Sequence, residues 1–132
     1  MEKRLIKKDE LLGIVKKVGG EFNVFAPVKL EDNVLFKPLA PGEEPLLTFA
    51  NTKNAPKGVF FPRTEVMIRY VRTPKGTVLK GVELEARDAV LFGVRPCDAR
   101  SFVLLDLLFD QEKYKDPYYI AKREKATVVT LA

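Results

Sequence analysis

Asp88-Ala89-Val90-Leu91-Phe92-Gly93-Val94-Arg95-Pro96-Cys97-Asp98 is the stretch whose reading decides the architecture. Its first seven residues form a nearly continuous apolar run, the signature of a strand buried on both faces. Arg95-Pro96-Cys97-Asp98 then reads as a turn that opens a helix. In that helix Phe102, Leu105 and Phe109, with Val103, Leu104, Leu107 and Leu108, leave little polar surface, which predicts a helix covered all round. Asp116-Pro117 starts a second short helix, since Asp caps and Pro suits the first helical position, and it runs to about Lys125. Thr127-Val128-Val129-Thr130-Leu131 is β-branched and reads as a strand. Strand, helices and strand in this order make a βαβ unit, with parallel strands and a right-handed crossover.

Upstream of this unit the pattern changes. Asp9 reads as a helix N-cap, and Leu11, Ile14, Val15 and Val18 recur at helical spacing until Gly19-Gly20 stops them. Phe22 to Leu30 and Val34 to Leu39 read as two antiparallel strands joined by Glu31-Asp32-Asn33, with Pro27 arguing for an edge or a break in the first. Pro38, Pro41, Pro45, Pro56 and Pro62 predict a mostly irregular connection that gains its order by packing onto something else. Thr64 to Val71 fits a short helix or a strand, and periodicity leaves both open. Thr73-Pro74-Lys75-Gly76 reads as a turn before a strand at Thr77 to Glu85, whose apolar positions are Val78, Val82 and Leu84. The whole is an α/β domain with an α+β tendency: an N-terminal helix and antiparallel strands, then the βαβ unit.

With 132 residues, 46% of them hydrophobic, the chain builds one domain with a real core. No segment approaches the roughly 20 apolar residues of a membrane span, and Met1-Glu2-Lys3-Arg4 lacks the apolar run of a secretory signal, so a cytoplasmic location is expected. The chain has no histidine and a single cysteine, Cys97. Serine–histidine and cysteine–histidine catalysis are therefore excluded within it, and so are an internal disulfide, a structural zinc site and a four-thiolate cluster built unaided. The formal charge of +5 is spread among alternating acids and bases. A nucleic-acid binder more often concentrates its charge on one face, so nucleic acid is not expected as a partner. The densest basic run, Lys3, Arg4, Lys7 and Lys8, reads as a solvated face.

One position invites chemistry. Cys97 follows a buried strand and opens a helix, where α/β sheets present ligand-binding groups and where free N–H groups favour a thiolate or an anion. Arg95 and Arg100 add positive charge nearby. Three readings stay open: a small buried hydrophobe with Asp98 capping the helix, a redox or metal-ligating thiolate, and an anion site at the Arg95 to Asp98 turn. No glycine-rich dinucleotide or P-loop motif is present.

These residues also carry a resemblance. Phe92-Gly93-Val94-Arg95-Pro96-Cys97-Asp98-Ala99-Arg100, Leu104-Leu105-Asp106, Asp116-Pro117-Tyr118-Tyr119 and Arg123-Glu124 look like the N-terminal region of the four-iron dicluster subunits. Those are the iron–sulfur (beta) subunits of cytosolic nickel–iron sulfhydrogenases and their iron–sulfur relatives in anaerobic sulfite reductase. Ala55-Pro56-Lys57, Phe60-Phe61-Pro62 with Glu65 and, more loosely, Phe25-Ala26-Pro27 are similar to the same family. The resemblance implies that the chain is the front piece of a longer polypeptide, whose further cysteines and ferredoxin-like module would carry two 4Fe-4S clusters past Ala132. It implies Cys97 as one cluster ligand, and Lys57, Glu65 and Arg95 as fold determinants or contacts to that module rather than catalytic groups. No catalytic residue is assigned to this chain.

The function expected from the resemblance is electron transfer between an anaerobic hydrogenase or sulfite-reductase site and a flavin-bearing subunit, with this domain as scaffold and dock. The alternative is a module holding a small anion at Arg95 to Asp98, with Asp98 and Arg100 as further contacts.

Overall fold

The computed structural model describes residues 5–81, 84 and 87–131. Lys3, Arg4, Val82 and Glu85, named above, lie outside the described residues. Helix α1 covers Lys8–Gly19 and buries Val15. Its N-cap is Lys7, without a side-chain cap bond, so Asp9 is not the cap; it lies in the first turn, where a carboxylate still suits the helix dipole.

Strands β1 (Asn23–Leu30) and β2 (Asn33–Pro38) form the expected antiparallel hairpin, turning at Glu31, whose φ is 52°. β1 is an interior strand, in a sheet ordered β2-β1-β5-β6, where β5 is Ala89–Val94 and β6 is Ala126–Thr130. Pro27 does not break β1, which runs on through it and sets it opposite Phe36 of β2; what ends before it is the ladder to β5. Parallel pairing of β1 with β5 stops at Phe25↔Leu91, and the Pro27 carbonyl accepts from the Leu46 N–H instead. The outer edge of β2 is closed by a side chain. Asn54 accepts from the Phe36 N–H at 2.9 Å and donates to the Phe36 carbonyl at 2.7 Å, as a neighbouring strand would.

Alternation along the strands sorts the core into two layers. Val24 and Ala26 of β1 and Phe92 of β5 pack with Val15 of α1. On the opposite face Leu91, Ala89 and Val94 pack with Phe102 and Tyr119, which belong to α2 (Pro96–Phe109) and α3 (Pro117–Glu124). The β5–β6 pairing is parallel, as the βαβ reading requires, and α2 and α3 lie between the two strands in sequence. Asp116 caps α3, its carboxylate accepting from the Tyr118 and Tyr119 N–H groups.

The long connection after β2 holds a single 3-10 turn at Pro56–Val59 and is otherwise irregular. Phe60, at its end, is buried edge-on against the Phe102 ring, with centroids 5.0 Å apart. Thr64 to Val71 resolves as neither alternative in full: β3 is Ile68–Thr73, paired with β4, Gly76–Gly81, across the predicted turn. The expected strand to Glu85 is therefore described only as far as Gly81. This hairpin is a separate two-stranded sheet whose residues are all exposed.

One expectation about packing fails. Val103, Leu104, Leu107 and Leu108 of α2 stand 43 to 68% exposed, because only the side bearing Phe102, Leu105 and Phe109 meets the core. Among the described residues no helix is long and apolar enough to cross a membrane.

Candidate functional site around Cys97

The site begins with an irregularity in β5. Phe92 pairs with Val129 but Val94 pairs with Thr130, so Gly93 is an extra residue in the ladder, a bulge with φ +80°. Without it, Val94 would lie on the α1 face with Phe92; with it, Val94 rejoins Leu91 in the layer beneath α2. A Cβ on Gly93 would stand 2.9 Å from Pro27 Cδ, so the bulge also needs the absence of a side chain. The bulge thus aims the strand end into the helix that follows.

Arg95 is the N-cap of α2 in extended conformation, Pro96 takes the first helical position and Cys97 the next. Asp98 lies in the first turn and makes no side-chain cap, which removes the capping role assigned to it. Its carbonyl accepts from the Ser101 hydroxyl at 2.7 Å. The reading of Cys97 as a buried hydrophobe is overturned as well: its side chain is exposed, because the buried face of α2 starts a turn later at Phe102. Arg95 is turned back onto the long connection, its guanidinium donating to the Phe49 carbonyl at 3.4 Å and lying 5.7 Å from the Phe49 ring. Arg100 is exposed.

The end of β6 comes to the same place. Leu131 donates its N–H to the Val94 carbonyl, and its side chain lies against Gly93. The turn from Arg95 to Arg100 therefore gathers one thiol, two guanidinium groups and a carboxylate beside the exit of the last strand. No protein-family model, curated protein or solved structure matches the chain.

Lys57 and Glu65 are not brought into this turn by any contact among the described residues. Lys57 is exposed on the 3-10 turn, where its carbonyl accepts from the Phe60 and Phe61 N–H groups. Glu65 pairs with Lys122 of α3. Glu65 thereby fastens the long connection to the helical layer, whereas the Lys57 bonds stay within the connection itself.

A second constellation joins residues that the sequence reading quoted without giving them a role. Asp106 of α2 accepts from the Tyr119 hydroxyl at 2.6 Å and from Arg123 Nε and a terminal nitrogen at 3.0 and 3.1 Å. Arg123 also lies 5.5 Å from the Phe60 ring. Burial, then the hydrogen bond to Asp106 and its charge, push the Tyr119 hydroxyl above the ordinary tyrosine range, against the opposing effect of Arg123. The hydroxyl is thus a fixed donor at neutral pH and locks α2 to α3. The signal lay in spacing: Tyr119 and Arg123 are one helical turn apart and face one carboxylate. A cleft of about 400 Å³ opens beside them, lined by Asp110, Ile120 and Glu124 among others.

A single exposed thiol can fill one metal position, be oxidised or act as a nucleophile, but it cannot hold a cluster alone. Among the described residues no three His, Cys, Asp or Glu side chains gather as a metal group.

Proposed function

We propose that this domain is a scaffold and docking piece of an iron–sulfur electron-transfer subunit in a cytoplasmic hydrogenase or sulfite-reductase assembly, with flavin-bearing and catalytic subunits as partners. The observation that supports it is the exposed Cys97 thiol at a helix start, beside the exit of β6. A cluster-ligating thiol has to be reachable from outside the fold, and this one is. The described residues supply one of the four thiolates a cubane cluster takes, so they do not fit a cluster alone. On this reading the other ligands come from outside these residues. Docking is supported by the bare apolar face of α2, which runs on from the same helix start.

The test is the natural gene product, made anaerobically with and without Cys97→Ser. The expected result is less iron per chain and an altered cluster absorption and paramagnetic spectrum in the variant. Iron-free wild-type protein, or equal iron and identical spectra in the two, overturns the reading.

The second reading, an anion held at the Arg95 to Asp98 turn, draws on the backbone N–H groups at the start of α2. Its weakness is Arg95, whose guanidinium is already engaged by Phe49. Phosphate titration at low salt decides it: saturable binding lost in Arg95→Ala supports it, and a flat response removes it.

A further inference from the structure

The β3–β4 hairpin stands apart from the body of the molecule. Met67, just before it, is tied back by the Tyr118 hydroxyl at 2.9 Å. Beyond that point its two strands pair only with each other, and among the described residues no backbone group of 68–81 bonds outside the hairpin. Both outer edges are therefore open, and a lone two-stranded ribbon is marginal in water.

Its register sorts the side chains by face. Ile68 and Tyr70 share one face with Leu79, which lies across from Tyr70; these three are 64, 65 and 70% exposed. The other face sets Arg69 directly across from Lys80, next to the Val71–Val78 pair. Residues 68–81 contain four cationic side chains and no carboxylate, in a chain whose net charge is +5. The ribbon is thus a local patch of positive charge in a chain whose acids and bases otherwise mostly alternate. Like charges directly opposite repel, and among the described residues no carboxylate forms an ion pair with either Arg69 or Lys80.

We infer that the hairpin docks an extended acidic segment of a partner protein as a third strand, its apolar residues on the Ile68, Tyr70 and Leu79 face and its acidic residues on the Arg69 and Lys80 face. Strand addition uses the open edge for affinity and the two faces for selection. A second copy of the same hairpin is disfavoured, because its cations would meet these. Nucleic acid matches less well. Single-stranded grooves stack successive bases on several aromatics, whereas Tyr70 is the one aromatic on the ribbon and its other apolar residues are aliphatic. Among the described residues no hydrogen bond or ion pair joins the hairpin to the Cys97 turn, and the inference stands whether or not Cys97 holds a cluster.

The probe is a labelled peptide of about ten residues alternating glutamate and valine, titrated at low salt against the full chain by fluorescence anisotropy. Saturable binding is expected, weakened at least roughly tenfold in Arg69→Glu/Lys80→Glu. Lys29→Glu/Lys113→Glu, exposed cations elsewhere that give the same net charge, should change it by less than about twofold. A peptide of equal composition with its glutamates in one block should bind at least about fivefold more weakly, because only alternation matches the pleat. The inference falls if the wild type does not bind, if both double variants lose binding equally, or if the block peptide binds as well. It falls also if oligothymidylate binds more tightly than the peptide and is lost in the hairpin variant.

Discussion

Gly93 carries two requirements at once, and they can be separated. Its φ of +80° strains any residue with a Cβ, and that Cβ would collide with the Pro27 ring. Gly93→Ala is expected to cost about 2–4 kcal/mol, roughly 1–2 from the left-handed backbone and the rest from overpacking. In a Pro27→Ala background the same change should cost only the backbone part, about 1–2 kcal/mol, and a double-mutant cycle in urea measures the difference. Tyr119 offers a different handle. Its proton is held more tightly in the fold than in the unfolded chain, so the stability it lends is complete below the unfolded value of about 10 and declines as pH rises through the range above it. Tyr119→Phe should lose about 1 kcal/mol at neutral pH and flatten that alkaline decline. Unfolding midpoints of the two proteins across the alkaline range check it, and parallel curves would contradict the lock between Tyr119 and Asp106.

Helix starts show how far local sequence reaches. Asp116 accepts two backbone N–H groups, so Asp116→Ala should cost about 1 kcal/mol. Asp98 only faces the dipole, and Asp98→Ala should cost a few tenths to about 1 kcal/mol; urea midpoints rank the two. Asp116-Pro117 was legible because cap and proline are consecutive, whereas Asp9 and Asp98 fell inside their helices, past the true caps Lys7 and Arg95. The β5–α2–α3–β6 order was legible because Ala89–Val94 is apolar throughout and Ala126–Thr130 is β-branched. Neither the bulge at Gly93 nor the place of Arg95 could be read, since both depend on residues distant in the chain: Pro27 and Leu131 for the first, Phe49 for the second. The exposure of Cys97 was hidden for a similar reason, because periodicity gives the apolar positions of α2 and not which of them meet Phe60.

At the scale of the whole molecule, the apolar side chains of α2 divide into those that hold the fold and those that do not. Phe102→Ala should cost about 3–5 kcal/mol, while Leu107→Lys should stay within about 0.5 kcal/mol and raise solubility. Equal losses on denaturation would mean that the outer face of α2 is covered in the free chain. The sequence reading missed this asymmetry because an all-round apolar helix predicts a cover without saying whose. The Asn54 side chain bears on the same question from the other end of the sheet. By mimicking a strand along Phe36 it makes the four-stranded sheet extensible in one direction only, past β6, on the side where the Cys97 turn begins. An assembly that lengthens this sheet therefore has a built-in polarity, with one terminus plugged by an amide and the other left to recruit.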